Sequence, residues 1–316
     1  MRVLLYHRVA PASEVGELTA GTAVDPEVFD RQMALIRDKV IPLDELVAEG
    51  ADRTADKIAI TFDDGYADNF THALPILRRH RIPATVFIST GHIDNRSNFW
   101  WDRIAYAVSR SRRSSARIEG VDYSLANGAA RLRTYGALSR AVAGQENRLA
   151  DALQQIEEAL EVDGRTQDCL VMSWEQATEM RAAGIRFGSH TANHRRLALL
   201  DPATLREELR QSHARIQEVF GGDRIGFAYP YGRETDYTAA AVAALAEQGF
   251  AFACTAVMKQ FDRRDSTYEV PRINVSGVDT WLSFHLKTAT PYPALYHRAR
   301  IVTGRHKTRS WDYRGA

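Results

Sequence analysis

The sequence predicts an α/β fold, either a parallel barrel or an open wound sheet, and three observations carry that reading. Seven short apolar runs alternate with amphipathic helical patterns. Most of the runs are apolar on both faces and rich in β-branched or aromatic residues, as strands buried between two layers are. With 316 residues, 45% of them hydrophobic, the chain can bury one large core and carry an inserted segment.

The elements follow in order. The first run, Val3–Tyr6, ends at His7. Asp25 opens a helical stretch, with Pro26 in its first turn and Phe29, Met33 and Ile36 on one face. The runs Ile58–Phe62 and Ala84–Ser89 come next. From about residue 95 to 170 no clear strand is predicted. That stretch holds Phe99-Trp100-Trp101, an Arg/Ser run from Ser109 to Arg117, and a helical pattern from Gln145 to Leu160. It reads as an insertion on one rim, serving either as packing or as a lid over the substrate cleft. Trp100 and Trp101 are candidate sugar-stacking platforms there, or a small satellite core. A helix from Trp174 to Ala183 is closed by Gly184, and the run Ile185–Gly188 follows. Asp201-Pro202 opens another helix, with Leu205, Leu209, Ile216 and Val219 inward. Ile225–Tyr229, Phe250–Thr255 and Glu269–Val275 complete the seven.

Composition excludes several classes. The net charge of +1 points to no nucleic-acid partner. Cys169 and Cys254 have no metal-type spacing and make no disulfide framework. No run of about eighteen apolar residues occurs, so no membrane span is expected. The start, MRVLLYHRVA, lacks a cleavage site, and a cytoplasmic location is the expectation. The end, about residues 288–316, is basic: Arg298, Arg300, Arg305, Lys307, Arg309 and Arg314 stand against Asp312. It reads as a solvated tail, or as a contact for a phosphate-bearing substrate or a membrane surface.

Two motifs carry most of the chemistry. TFDDG, Thr61 to Gly65, places two carboxylates at the end of a buried strand, where barrels keep their catalytic groups. Neighbouring carboxylates resist joint ionisation unless a cation or a proton intervenes. SHTANH, Ser189 to His194, adds His190 and His194 four residues apart. Two imidazoles and one carboxylate suit zinc with open positions, and they also admit cobalt, nickel or iron. The second carboxylate is then left as a base for water attacking an unactivated amide or ester. In FAYPYG, Pro230 and Gly232 shape a tight turn, which by itself reads as a turn signal or as one that could aim the Tyr231 N–H at a developing oxyanion. His7, at the end of the first run, is a candidate general acid.

Together these motifs resemble the NodB-like polysaccharide deacetylases, carbohydrate esterase family 4. IPATVFIST, MSWEQATEMRAAGIRFGSHTANH and FAYPYG extend the likeness over most of the chain outside the insertion and the tail. The resemblance implies a distorted (β/α)7 barrel in a single domain, 1–316. It implies Asp63 as catalytic base, Asp64, His190 and His194 as metal ligands, and Tyr231 as an oxyanion donor. Family members usually end on a leucine–x–histidine motif that supplies the acid and a wall for the acetyl methyl. Here Leu5-Tyr6-His7 matches it at the start of the chain instead, as in the circularly permuted branch resembling poly-N-acetylglucosamine deacetylases. Pro230 and Leu5 would then border the substrate.

Two departures stand out. Ala228 occupies the place of the usual motif-three arginine, and the Asp-rich fourth motif is missing. Arg272, in EVPRINV, is the candidate to tether Asp63 from another strand. The expected activity is removal of N-acetyl groups from an N-acetylhexosamine glycan or glycoconjugate. The alternatives are a silent carbohydrate-binding protein and a deacylase or deformylase of a small amide.

Overall fold

The structure, a computed structural model, describes residues 1–49, 56–145, 148–222, 224–262 and 264–289. The basic segment from residue 290 onward lies outside the described residues.

Each of the seven predicted runs coincides, most with shifted ends, with one strand of a single parallel sheet: β1 (Arg2–Tyr6), β2 (Ile58–Phe62), β3 (Ala84–Ile88), β4 (Arg186–Ser189), β5 (Gly226–Ala228), β6 (Phe252–Cys254) and β7 (Ile273–Asn274). Their spatial order is β6-β5-β4-β3-β2-β1-β7. The curl brings the two ends together. Cys254 forms a parallel bridge with Val270, whose N–H donates to Ala253 O at 2.8 Å while Thr255 N–H donates to Val270 O at 2.8 Å. The result is a short-stranded, distorted barrel whose circular order follows the sequence. β1 lies between β2 and β7, pairing Leu5 with Thr61 on one side and with Asn274 on the other. The first strand of the chain therefore closes the ring.

Strand alternation divides the core. Val3, Ala59, Phe87, Ala228, Cys254 and Val270 fill the barrel interior, with Met1, Leu43 and Leu46 packed among them. Leu4, Ile60, Val86, Phe187, Phe227 and Ile273 face the helical layer. The helices start where their caps predict. Asp25 accepts from Glu27 N–H ahead of Pro26–Ile36. Ser173 and Gln176 form a capping box ahead of Trp174–Ala182, and Asp201 accepts from Ala203 and Thr204 ahead of Pro202–Phe220.

The insertion departs from expectation in one respect. Besides the helices Trp100–Arg110, Gly128–Val142 and Leu149–Leu160 it contains an antiparallel hairpin, Ser115–Ile118 with Val121–Ser124. Glu119 and Gly120 both take left-handed backbone at its turn, φ 46° and 81°, the geometry that tight two-residue hairpins need. The Arg/Ser run hid the alternation: only Ala116 and Ile118 face inward, and Arg117 pairs with Asp122 on the exposed side.

Candidate metal centre and active site

The chemistry-bearing residues collect at the C-terminal ends of the strands. Asp63 follows β2 and its N–H donates to Tyr6 O at 3.0 Å, so it stands level with the exit of β1. Asp64 and Gly65 then take positive φ, 71° and 76°. A side chain on Gly65 would meet Ile88 Cγ2 at 2.8 Å, which is why the turn needs glycine. This turn sends the two carboxylates to different partners.

Asp63 goes to Arg272. The guanidinium is fully buried and makes a two-pronged pair, Nη1 to Oδ1 at 2.6 Å and Nη2 to Oδ2 at 2.7 Å. Its Nε donates to Thr255 O at 2.8 Å, which locks the fork in place. Burial opposes the charge on Asp63. The Arg272 charge, helped by His190 and His7, overcomes it and holds the carboxyl below its ordinary range. Arg272 thus reaches Asp63 from the position just before β7, while the place of the missing motif-three arginine goes to Ala228, whose carbonyl serves a histidine.

Asp64 goes to the histidines. Its Oδ1 lies 3.5 Å from His190 Nε2 and 3.4 Å from His194 Nε2, and one ligand atom from each of the three falls within 4.8 Å of the others. Ligands at about 2.0–2.2 Å around a tetrahedral zinc stand roughly 3.4 Å apart, so the donor set fits a divalent cation. His190 Nδ1 donates to Ala228 O at 2.8 Å, which turns the Nε2 lone pair toward Asp64. Burial pushes His190 down to about 4, so it is neutral, the form that ligates. Burial also opposes the charge on Asp64, but the His194 hydrogen bond and the nearby imidazoles keep its carboxyl well below the usual range.

The histidine loop is strained and braced. Thr191 and His194 both have positive φ, 64° and 53°. Two residues that sequence reasoning missed do the bracing. The buried Glu208 carboxylate accepts from Asn193 N at 2.9 Å and Nδ2 at 2.8 Å. Gly91 N–H donates to Ala192 O at 2.8 Å, and a side chain there would meet that same oxygen at 2.8 Å. Glu208 left a signal, since it falls among Leu205, Leu209 and Ser212 on the buried face of its helix.

The remaining candidates line the same mouth. Leu5 and His7 alternate with Tyr6, which places them on the inward face with Thr61 and Asp63; Leu5 is buried and His7 half-buried. Asn69 Nδ2 donates to His7 O at 2.9 Å, and the His7 charge acts on both carboxylates. Pro230 is buried, Tyr231 has φ 61°, and the Tyr231 ring lies edge-on to His194 at 4.9 Å. Trp100 and Trp101 depart from the platform expectation: they are 8% and 4% exposed. Trp101 packs edge-on against His194 at 4.9 Å and donates to Tyr66 OH, while Trp100 Nε1 donates to Tyr231 OH at 3.2 Å. They wall the histidine instead of offering an open face to a sugar.

Comparison with known proteins agrees with this architecture. A Streptococcus pyogenes deacetylase (PplD) in complex with acetate is similar, with TM-score 0.61 and 17% identity over 92% of this chain and 98% of its own. IcaB from Ammonifex degensii gives TM-score 0.55 and 21% identity over 91% and 97%. A putative polysaccharide deacetylase of Bacillus anthracis gives 0.58 and 18% over 91% and 68%. At these identities the likeness is one of fold. No curated protein sequence matches. The family model for polysaccharide deacetylase matches residues 50–252, and those residues include TFDDG, the histidine motif and the PYG turn. The chain therefore belongs to the polysaccharide deacetylase family.

Proposed function

We propose that this protein is a metal-dependent deacetylase that removes N-acetyl groups from an N-acetylhexosamine-containing glycan or glycoconjugate. The observation that carries the reading is the division of the two adjacent aspartates. Asp63 is clamped by Arg272 while Asp64 joins two histidines at ligand spacing. A divalent cation held by Asp64, His190 and His194, zinc first and cobalt, nickel or iron also admitted, would supply Lewis acidity at the acyl oxygen.

The chain's own residues do the rest. Asp63, ionised and oriented by Arg272, takes a proton from the water that attacks the acetamide carbon. The Tyr231 N–H, set by its left-handed turn, faces the oxygen that gains charge. Protonated His7 gives its proton to the departing amine nitrogen as the C–N bond breaks, yielding acetate and the free amine. Leu5, one strand-step below His7, borders the acetyl methyl. Leaving Arg272 in place but removing the acid separates roles: His7→Ala should lower turnover about 10²–10⁴-fold with metal content unchanged.

The test is to incubate the metal-loaded protein with N-acetylhexosamine oligomers, nucleotide sugars and lipid-linked glycans, and to follow loss of one acetyl by mass. Acetate release from at least one of them is expected. Binding without acetate would favour a silent carbohydrate-binding protein, and acetate or formate from simple amides alone would favour the small-amide reading.

A further inference from the structure

β7 leaves the barrel at the rim that holds His7 and Asp63, and the helix Trp281–Thr288 follows it. That helix is fastened on one side. Phe284 and Thr288 are buried, and Lys287 Nζ donates to Asn274 O at 2.8 Å while pairing with Asp279. The other side is open and apolar. Val278 is 70% exposed, Leu282 69%, Trp281 48% and Leu286 38%. These are four of the seven large hydrophobic residues that stand exposed among the described residues. The acid of this stretch, Asp279, is turned inward onto Lys287, so the face itself carries no exposed negative charge. Directly beyond it, residues 290–316 hold six Lys or Arg and one Asp.

We infer that this face docks on an anionic membrane surface. An apolar face with tryptophan at its edge enters the headgroup boundary, and neighbouring basic residues are drawn to anionic lipid. Each signal alone binds weakly; the two adjoin in the sequence and reinforce one another. A second copy of the chain is a poorer occupant. A stable dimer buries about 800 Å² per partner through roughly 20–30 residues, and this face offers four side chains. Because Val278 lies in the turn that leaves β7 at the active-site rim, docking through it holds that rim near the lipid. Glycans anchored in that membrane then come within reach of the site, a consequence that rests on the deacetylation reading; the docking does not.

The experiment is co-sedimentation of the full chain with phosphatidylcholine vesicles, with and without phosphatidylglycerol, at low and high salt. Binding to the anionic vesicles alone, weakened by salt, is expected. The double substitution Trp281→Ser and Leu282→Ser should weaken it about tenfold or more at an unchanged melting temperature. Arg298→Gln, Arg300→Gln and Arg305→Gln together should remove most of the salt dependence. No sedimentation, equal binding to neutral vesicles, or an unaffected double variant would overturn the inference. So would a dimer in solution that the double substitution dissolves. Acetate release from a soluble substrate, measured on the same variants, reports separately on the deacetylation reading and is expected to be unchanged.

Discussion

Two buried clusters of carboxylates lie side by side in this protein, and they have opposite characters. On the rim, Asp63 and Asp64 are held ionised by Arg272 and by imidazoles. Behind it, Asp68 and Asp102 surround Arg8 and Tyr66. Arg8 Nε donates to Asp68 at 2.6 Å, and Tyr66 OH donates to Asp102 at 2.8 Å. Here burial wins: Asp68 is raised, and Asp102 is pushed up to about 7. The wall between them is Trp101, which touches His194 on one side and donates to Tyr66 OH at 2.8 Å on the other. Each cluster has two acids and one arginine. What differs is the fork. Arg272 meets both oxygens of one carboxylate, whereas Arg8 reaches Asp68 through one nitrogen and also stands over the Tyr66 ring at 4.8 Å. Charge density at ligand spacing makes a reactive rim; the same groups closed behind aromatic rings make a support.

The largest expected effect separates the two clusters directly. Asp63→Asn should lower kcat/KM about 10²–10⁴-fold, whereas Asp102→Asn, outside the reacting set, should change it by less than about tenfold. Steady-state rates on one acetylated substrate, with circular dichroism as a control for folding, decide this. Equal losses in both variants would erase the distinction. Next in size is Arg272→Ala. It frees Asp63 without touching a ligand, so turnover should fall about 10²-fold while bound metal stays constant. Unchanged turnover would remove Arg272 from the site.

Smaller effects concern the supporting cluster. Asp102 is raised when folded, so between about pH 4 and pH 7 the native state keeps a proton that the unfolded chain gives up. Its contribution to stability is therefore present at acid pH and declines as pH rises through 7. Asp102→Asn should gain melting temperature relative to wild type on going from about pH 5 to about pH 8, and a constant difference would contradict the assignment. Tyr66→Phe, which removes the hydroxyl between Trp101 and Asp102, should cost about 1–3 kcal/mol in denaturant unfolding.

The rim was far more legible in the sequence than what supports it. Asp63, Asp64, His190 and His194 sit in contiguous motifs at strand ends, where residue type and position speak together. Arg272 was named only because a usual arginine was missing, since nothing local in EVPRINV marks a side chain that reaches across the barrel. Gly91 braces a loop distant in sequence and left no local trace, while Glu208 showed only as an acid on the buried face of its helix. The tryptophans misled because an aromatic pair reads alike whether it faces sugar or walls a histidine. The seven strands were visible as runs, but the insertion's hairpin was not, because only Ala116 and Ile118 of its eight strand residues are buried.

The central claim is that Asp64, His190 and His194 hold a metal which acetamide hydrolysis requires. The most direct measurement is acetate release from an N-acetylglucosamine oligomer by protein stripped with chelator and then titrated with zinc, alongside metal content of wild type and Asp64→Asn. The account predicts that stripped wild type is inactive, that activity returns as about one equivalent binds, and that Asp64→Asn neither retains zinc nor recovers. Chelator-insensitive acetate release, or full zinc retention and activity in Asp64→Asn, would contradict it.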